Sequence, residues 1–429
     1  MNFQESNDYL LSLGNEVSAM KLGLENIRKL LSAVGDPQNT YVKVQVAGTN
    51  GKGSVCAFLN SICVTAGIKT GMYTSPHLVT MTERVKIDGE DISEDAFAHL
   101  ATRVRETCEQ LVQSDELENV PTYFEQVTAI ALLAFAAAEV ELAILETGLG
   151  GRLDATTAAN AEIAAITRID LDHQQYLGET IEEIAAEKAA IIRPDSKHVI
   201  IGAQGPEATE VIYSRARKLG INPMSAHKVQ SKTDSQHTFF DPFGEIDLGL
   251  KGRHQIENAK VAILLVDALN DFFPLKFKPE DVVKGLESAR HPGRLELIDR
   301  FLFDGAHNVG GARALRAYLD EFIPQPITMI FGSMNDKDVG KIAAILFSRA
   351  AQLILTRPSN SRATSLDELL KTVPESLPLA TRVFLAEKPE AAIAKAIEIS
   401  SENDLILVTG SLYLVGEVKK LFAALNHDS

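Results

Sequence analysis

Short apolar runs alternate with segments of helical periodicity along most of the chain. Residues 42–47 are predicted to form a strand, and a glycine-rich turn then leads into a helix over residues 55–66. Further strands are predicted over residues 141–146, 163–167 and 198–202, with a helix over residues 180–192. Strands that alternate with helices indicate an α/β fold with a mostly parallel sheet and helices on both faces. Ligands bind such sheets beyond the carboxyl ends of the strands.

The pattern stops at residues 289–294 and then begins again. Four more strands are predicted, over residues 302–304, 328–331, 353–356 and 405–409, with helices between them. The polar segment 225–248 is interrupted by proline and glycine and is predicted to be a hairpin excursion. We therefore predict two domains, 1–293 and 297–429, the second being a smaller α/β domain with a Rossmann-like arrangement.

Composition and charge narrow the range of partners. The 429 residues include 42 Lys and Arg against 58 Asp and Glu, which gives a formal net charge of −16. This excess of acid argues against binding to nucleic acid or to an anionic membrane surface, both of which need dense positive charge. The three cysteines cannot all pair internally, no secretory signal is recognisable, and the longest apolar run, 130–138, is too short to span a bilayer. We expect a reduced, cytoplasmic protein.

The turn after the first predicted strand has the composition of a phosphate-binding loop. It reads Gly48-Thr49-Asn50-Gly51-Lys52-Gly53-Ser54 and leads into a helix. Backbone N–H groups at a helix N-terminus form an anion cradle, and Lys52 adds a point charge for the β- and γ-phosphates. The loop departs from the common pattern G-x-x-x-x-G-K-[ST], because Gly53 separates Lys52 from Ser54. The alternative is a tight turn without a ligand; we predict that Gly51, Lys52, Gly53 and Ser54 bind a nucleotide.

This form of the loop resembles that of the Mur ligase superfamily, and specifically of folylpolyglutamate synthase/dihydrofolate synthase. Further blocks that match the same family are residues 74–78, 82–85, 122–125, 146–156, 171–173, 187–189, 252–255, 291–294 and 303–308, so the resemblance covers nearly the whole chain. It implies an N-terminal P-loop ATPase domain and a C-terminal glutamate-ligase domain.

The activity that the resemblance implies is an ATP-dependent ligation in folate biosynthesis and one-carbon metabolism. L-glutamate is added to 7,8-dihydropteroate, to the γ-carboxylate of (tetrahydro)folate polyglutamates, or to both. An acyl phosphate is the intermediate, and ADP and phosphate are released. Members of the family are typically monomers, and neither nucleic acid nor membrane is expected as a partner.

The resemblance also implies a metal centre. Ser75, Glu146 and His173 fall on the family's Mg²⁺ ligands, and Lys188 falls on a lysine that CO₂ converts to a carbamate able to hold a second Mg²⁺. The residues alone leave alternatives open. Glu146 could cap the following loop, His173 could be a hydrogen-bonded loop histidine, and Lys188 could be a solvated helical lysine.

Further nucleotide contacts implied by the resemblance are Asn258, Arg294 and Asp304. The first lies in the predicted first domain, the second in the hinge and the third in the second domain. We therefore expect full binding of ATP to require domain closure. A surface charge at Arg294 and a turn carboxylate at Asp304 are the alternatives.

The remaining candidates concern the two substrates of the ligation. Arg362 suits the incoming glutamate, because a guanidinium binds a carboxylate in a bidentate way, although an exposed loop arginine is an equal alternative. His307 is a candidate base for the glutamate amine. For dihydropteroate the resemblance implies Met20, Lys21, Leu22, Thr122, Tyr123, Phe124, Glu125, Leu153, Asp154 and Ala155. Phe124 could stack on the pterin or could be a core aromatic residue.

Two other functions remain open at this stage. A ligase acting on cell-wall precursors would belong to the same superfamily, but we expect it to carry a larger domain before the phosphate loop than the 47 residues found here. A nucleotide-binding module without catalysis would not need Ser75, Glu146, His173 and Lys188 together. Measurement of ADP release in the presence of glutamate separates the second alternative from an enzyme.

Overall fold

The computed structural model describes residues 1–14, 23–233, 238–274, 276–375, 377–378 and 380–427. The chain divides into two compact units. The first unit comprises Met1–Ile169, Gln174–Gly249 and Ile256–Arg290, and the second unit comprises Asp170–His173, Leu250–Gln255 and His291–Ser429. The short segment that contains His173 thus belongs to the second unit, although it follows a strand of the first. The predicted domain limits at 293 and 297 stay a prediction.

An eight-stranded sheet forms the centre of the first unit. Its strands are β1 (Val42–Ala47), β2 (Thr70–Tyr73), β3 (Val85–Ile87), β4 (Glu90–Asp91), β5 (Leu142–Glu146), β6 (Ile163–Ile166), β7 (His198–Ile201) and β8 (Met224–Ser225). They lie in the order β4-β3-β2-β5-β1-β6-β7-β8; the pairs that involve β3 are antiparallel and the other pairs are parallel. β2 to β5 lie on one side of β1, and the later strands β6 to β8 lie on the other. The carboxyl end of β1 is therefore the switch point at which parallel sheets bind ligands.

Among the described residues, ten α-helices lie before residue 291. They are α1 (Phe3–Ser12), α2 (Glu25–Ala33), α3 (Lys52–Thr65), α4 (Glu94–Gln113), α5 (Tyr123–Ala137), α6 (Gln174–Leu177), α7 (Ile181–Ala189), α8 (Pro206–Lys218), α9 (His254–Leu269) and α10 (Pro279–Ser288). Apolar residues of α1, α2, α4 and α5 share one core cluster, and α7 and α8 contribute to a second. Covered on both faces, the central strands are almost wholly buried, which explains their continuous apolar runs.

The polar excursion of the first unit is a small antiparallel sheet. Its strands are β9 (Ser231–Thr233), β10 (Thr238–Phe240) and β11 (Gly244–Glu245). The predicted hairpin over 225–248 is thus present, with one strand more than a hairpin has.

The second unit has its own six-stranded sheet. The strands are β12 (Glu296–Ile298), β13 (Phe301–Asp304), β14 (Ile327–Phe331), β15 (Gln352–Thr356), β16 (Arg382–Ala386) and β17 (Leu405–Thr409), in the order β12-β13-β17-β14-β15-β16. Only β12 is antiparallel to its neighbour. The helices are α11 (Val309–Phe322), α12 (Val339–Leu346), α13 (Leu366–Lys371), α14 (Pro389–Ile399) and α15 (Leu412–His427). This confirms the predicted class of two α/β units with parallel-rich sheets.

The differences from the predicted elements have local causes. The helix expected from residue 55 begins at Lys52, because Gly51, with φ of 92°, ends the turn and starts the helix directly. The helix expected over 180–192 ends at Ala189; Thr180 caps its N-terminus together with Glu183. α5 was not predicted, because it is buried on nearly every side and has no polar face to reveal its period.

Two expectations about cysteines and membranes can be compared with the structure. All three cysteines are free and buried. Within the described ranges no helix is long and apolar enough to cross a membrane.

Candidate active site

The predicted phosphate loop lies at the carboxyl end of β1 and closes onto the end of β6. The backbone N–H groups of Thr49 and Asn50 donate to the Arg168 carbonyl at 2.9 and 3.1 Å. Gly48 and Gly51 both have positive φ, at 151° and 92°. A Cβ on Gly48 would lie 1.9 Å from the hydroxyl oxygen of Thr167. Position 48 therefore requires glycine for two reasons: the Thr167 side chain leaves no space for a Cβ, and the backbone has a positive φ.

Two lysines converge on one carbonyl oxygen of this loop. Lys52 Nζ donates to the carbonyls of Gly48 and Thr49 at 3.1 and 3.3 Å. Lys188 Nζ, from α7, donates to the same Gly48 oxygen at 2.9 Å. Lys188 is only 5% exposed, so it is not the solvated helical lysine considered as an alternative. Both amino groups lie where the sheet presents its ligands.

Asn258 lies directly against the phosphate loop. A Cβ on Gly51 would be 2.3 Å from the Asn258 side-chain oxygen, and Asn258 itself is buried in α9. The structure thus brings this predicted nucleotide contact together with Gly51, Lys52 and the start of α3.

Glu146 and Ser75 meet at the neighbouring strand ends. In the parallel pair β1–β5, Glu146 lies opposite Val46, two residues before Gly48. The Ser75 backbone N–H donates to Glu146 Oε2 at 3.3 Å, and the Glu146 side chain is 6% exposed. A carboxylate and a serine hydroxyl are hard oxygen ligands of the kind that Mg²⁺ prefers. These two residues therefore fit a magnesium site.

His173, the third predicted ligand, belongs to the second unit. Its φ of 50° is in the left-handed region, and its N–H donates to the side chain of Asp172 at 2.9 Å. Within the described residues, no three His, Cys, Asp or Glu side chains form a metal-binding group. Of the four predicted metal ligands, Glu146 and His173 are of these residue types, so the absence of a group of three does not test the predicted site.

Asp172 is the centre of a polar cluster that sequence reasoning did not single out. Its side chain accepts from Lys337 Nζ at 2.7 Å and from Asn308 Nδ2 at 3.0 Å, and Lys337 Nζ is also 3.4 Å from His173 Nε2. Burial opposes ionisation of Asp172, but its electrostatic interactions with His173, Lys337 and His307 hold the pKa of this carboxyl well below its usual range. The carboxylate is thus ionised and already neutralised by Lys337.

His307 lies next to this cluster. Its Nδ1 is 2.7 Å from the Gly305 carbonyl oxygen, so Nδ1 carries the proton and the neutral ring presents Nε2 as an acceptor. Burial, with the charge of Lys337, lowers the pKa of His307 to about 4. A ring with this pKa is neutral at pH 7, but it is a weak acceptor for an ammonium proton. The general-base role stays a prediction, and a positioning role agrees better with this pKa.

The other candidates of the second unit are engaged in local structure. The buried Asp304 accepts from the backbone N–H groups of Leu295 and Ala306, both at 3.0 Å, and burial raises its pKa while the nearby Arg294 opposes this. Arg362 is not a fully exposed loop arginine: it packs over the Tyr413 ring and donates to the Tyr413 hydroxyl at 3.3 Å. Both remain predicted ligands.

The predicted dihydropteroate residues gather at the start of α5 and in the loop after β5. Thr122 caps α5, and Glu125 accepts from the N–H and hydroxyl of Thr122 at 2.8 and 2.9 Å. The Phe124 ring is half-buried; it borders Gly148 and lies 6.1 Å from the Tyr73 ring.

The loop residues Leu153, Asp154 and Ala155 are wholly or partly buried. The Asp154 side chain accepts from the Leu149 N–H at 2.9 Å, and burial raises its pKa. Met20, Lys21 and Leu22 lie outside the described residues.

A signal for the missed cluster was present in the sequence. Asp172 is next to the predicted ligand His173, and Lys337 lies in a charged turn six residues after β14 ends. Because parallel sheets present ligands beyond the carboxyl ends of their strands, the turn after β14 that carries Lys337 was a candidate on that ground.

Comparisons with known proteins agree with this geometry. A family model of the Mur ligase middle domain matches residues 46–266, and a model of the Mur ligase glutamate ligase domain matches residues 293–412. The dihydrofolate synthase/folylpolyglutamate synthase of Bacillus subtilis is 32% identical over 416 residues, which cover 94% of this chain and 95% of the relative. Two longer archaeal relatives are also similar, and the chain spans about half the length of each.

Solved structures show the same similarity in three dimensions. Escherichia coli FolC in complex with DHPP and ADP has a TM-score of 0.87 and 29% identity, with 99% of each chain covered. The bifunctional enzyme of Yersinia pestis complexed with AMPPNP and Mn has a TM-score of 0.84 and 27% identity, covering 99% of this chain and 98% of the other. Homologous structures thus hold nucleotide and a divalent metal. The chain belongs to the folylpolyglutamate synthase/dihydrofolate synthase family of the Mur ligase superfamily.

Proposed function

We propose that the protein is an ATP-dependent ligase that joins L-glutamate to 7,8-dihydropteroate, to the γ-carboxylate of (tetrahydro)folate polyglutamates, or to both. The acceptor carboxylate attacks the γ-phosphorus of ATP, and the bond to ADP breaks. The glutamate amine then attacks the acyl carbon, phosphate leaves, and the amine loses a proton as the amide forms. ATP is needed because an unactivated carboxylate has no adequate leaving group.

The observation that carries this proposal is the arrangement at the ends of β1 and β5. Lys52 and Lys188 both reach the Gly48 carbonyl, and Glu146 lies opposite Val46 with its carboxylate on the Ser75 N–H. Positive charge and hard oxygen ligands therefore occur together at the switch point of the sheet, as phosphoryl transfer requires.

Lys52 has the position of the residue that stabilises phosphate charge. Its ammonium group is held beside the loop by two backbone carbonyls, at 3.1 and 3.3 Å, and lies one residue after the Gly51 turn. We infer that in the complex the ammonium group turns to the β- and γ-phosphate oxygens, where negative charge accumulates during transfer.

Ser75, Glu146, His173 and a carbamylated Lys188 are the proposed holders of Mg²⁺, with two ions as the expected number. Bound there, the cation would neutralise phosphate oxygens and orient them. Lys188 is a candidate for carbamylation because only 5% of the residue is exposed and its amino group lies at the phosphate loop, 2.9 Å from the Gly48 carbonyl oxygen. Conversion to a carbamate would replace a buried cation with an oxygen ligand.

In the second unit we propose that Arg362 binds a carboxylate of the incoming glutamate. Tyr413 supports its guanidinium group through a ring contact at 5.8 Å and a hydrogen bond. A planar guanidinium held in this way loses little further freedom when it binds a carboxylate in a bidentate way. Asp304, Arg294 and Asn258 are the proposed nucleotide contacts outside the phosphate loop.

Replacement of Lys52 tests the proposal. Lys52→Ala should abolish ATP-dependent amide formation while the far-ultraviolet circular dichroism spectrum and melting temperature stay close to those of the wild type. Lys284→Ala removes an exposed lysine of α10 in the same unit and serves as the control. Turnover by Lys52→Ala comparable with that of Lys284→Ala would contradict the assignment of the phosphate loop.

The choice of acceptor is settled by parallel assays with dihydropteroate and tetrahydrofolate. Glutamate addition to both would establish the two activities that the name of the Bacillus subtilis relative combines. That the enzyme acts as a monomer in the cytoplasm is also part of the proposal, and gel filtration tests the first point.

A further inference from the structure

Arg84 is a buried cation that has no assigned role. It ends a 3₁₀ helix, Met81–Arg84, immediately before β3, and only 2% of it is exposed. Arginine is almost never fully buried without partners, because removing its charge from water costs several kcal/mol. The contacts that it makes in return therefore indicate what it does.

The guanidinium group joins two side chains from different segments. Its Nε–H donates to His77 Nδ1 at 2.8 Å, and its central carbon lies 5.6 Å from the centroid of the Tyr123 ring. Arginine can only donate, so His77 must accept through Nδ1. One rigid planar group thus donates to His77 and lies over the Tyr123 ring at the same time.

The loop between Tyr73 and Arg84 is closed by backbone hydrogen bonds as well. The Thr74 N–H donates to the Arg84 carbonyl at 3.0 Å. The Glu83 carboxylate accepts from the N–H groups of Leu78 and Val79 at 2.8 and 2.9 Å. His77 completes this closure from inside the loop through Arg84. The loop is therefore closed by its own hydrogen bonds between the paired strands β2 and β3, and the Arg84 side chain connects it to Tyr123.

Each end of the Arg84 contact belongs to a different part of the proposed site. The closed loop carries Ser75, whose N–H donates to Glu146 Oε2 at 3.3 Å. Tyr123 belongs to the N-terminal turn of α5, between Thr122 and Phe124 in the segment proposed to bind dihydropteroate. A shift of Arg84 would therefore alter the distance between the metal ligands and the acceptor segment.

We propose that Arg84 is a positioning residue that sets the Ser75 loop against the Tyr123 turn, so that the metal-bound nucleotide and the acceptor carboxylate are aligned. The inference rests on the proposed function. Lysine is a poor replacement for arginine here, because a compact ammonium group lacks the planar fork that can donate to His77 from Nε while the rest of the group lies over the Tyr123 ring.

The test compares Arg84→Lys with a matched arginine. Arg105 of α4 also lies over a tyrosine, 5.0 Å from the Tyr9 ring, and its Nε–H donates to Glu109 at 2.7 Å. Arg105→Lys therefore removes an arginine–tyrosine contact and a side-chain hydrogen bond from the same unit, at a more exposed position, without touching the proposed site. We expect Arg84→Lys to raise the KM for dihydropteroate and the half-saturating Mg²⁺ concentration by about 10-fold or more, as loss of supporting contacts around metal sites does. Arg105→Lys should leave both values near those of the wild type.

A binding measurement separates this role from a purely structural one. By calorimetry, Arg84→Lys should weaken ADP binding in the presence of Mg²⁺ and leave it unchanged in EDTA. A lowered melting temperature with unchanged KM, Mg²⁺ requirement and ADP affinity would overturn the proposal. Absence of amide formation by the wild type would instead refute the proposed function, so the two failures are distinct.

Variants of His77 keep the test decisive if Arg84→Lys does not fold. His77→Gln retains a side-chain oxygen that can accept from the Arg84 Nε–H, whereas His77→Leu removes the acceptor. His77→Leu should raise the Mg²⁺ requirement and the KM for dihydropteroate, and His77→Gln should largely restore both. Equal effects of the two variants would also overturn the proposal.

Discussion

Gly51 and Gly35 allow the cost of crowding at the phosphate loop to be separated from the cost of backbone strain. Both are glycines of the first unit with almost the same left-handed backbone, φ being 92° at Gly51 and 95° at Gly35. A Cβ on Gly35 would have nothing within 4 Å, whereas on Gly51 it would lie 2.3 Å from the Asn258 side-chain oxygen. Alanine at Gly35 therefore introduces strain alone, and alanine at Gly51 introduces strain together with a clash.

The expected magnitudes follow from these two contributions. A left-handed conformation costs an L-residue about 1–2 kcal/mol, and this should be the whole effect of Gly35→Ala. Asn258 is buried, so it cannot swing away freely, and overpacking of this kind adds about 1–3 kcal/mol. Gly51→Ala should therefore destabilise the first unit by about 2–5 kcal/mol.

Urea unfolding measures the loss of stability. It is followed by far-ultraviolet circular dichroism, because the chain has no tryptophan whose fluorescence could report unfolding. Both substitutions lie in the same unit, so their midpoints refer to the same transition. Calorimetric titration with ADP measures the effect of each substitution on nucleotide affinity. Because Asn258 is a proposed nucleotide contact, Gly51→Ala should weaken ADP binding by about 10-fold or more, equivalent to at least 1.4 kcal/mol. Gly35→Ala should leave ADP affinity unchanged. Equal destabilisation by the two substitutions, with equal ADP affinity, would refute the reasoning.

Three further predictions concern the charged groups of the two units. Lys188→Ala should lose amide formation and regain part of it with short carboxylic acids, and mass spectrometry of the wild type should detect the carbamate; full activity without a carbamate would contradict the role. Glu146→Ala should raise the Mg²⁺ concentration needed for half-maximal activity by about 10-fold or more, and an unchanged Mg²⁺ titration would count against it. Lys337→Met leaves the buried Asp172 carboxylate without its 2.7 Å partner and should cost roughly 3–5 kcal/mol of stability, while Lys337→Met/Asp172→Asn should cost less than the sum of the single changes. Additive costs would show that the pair is not coupled.

The predictability of the fold depended on how each element is buried. β1 was predicted at its observed bounds, because a strand covered on both faces shows a continuous apolar run and the glycine-rich turn marks its end. α5 was missed for a related reason: fifteen residues that are mostly buried show no amphipathic period. The local pattern thus identifies an element when its edges differ in composition from its interior.

The same distinction separates the predictable site residues from the others. Gly51 and Lys52 were predicted from the glycine-rich turn after a strand, which is a local feature of the sequence. Glu146 also lies at a strand end, but its predicted role as a metal ligand rests on the family resemblance. Lys188 was ambiguous, because a lysine inside a helix is ordinarily solvated. The carbonyl that accepts its hydrogen bond belongs to Gly48, 140 residues away along the chain. The hydrogen-bonding partner of such a residue is a property of the folded chain that no periodicity encodes.

Arg84 and Lys337 show which kind of residue is hardest to identify from the local sequence. Neither residue was assigned a role from the sequence, because a lone cation in a turn carries no local signal that it is buried. Both are buried against groups whose positions are set by the sheet: Lys337 against Asp172, 165 residues earlier, and Arg84 between the Ser75 loop and α5. Burial of a charge without its partner would cost several kcal/mol, so each pair can persist only where the fold brings both members together. Sequence reasoning therefore identifies groups that meet the reactants at strand ends more readily than the residues that hold those groups in place.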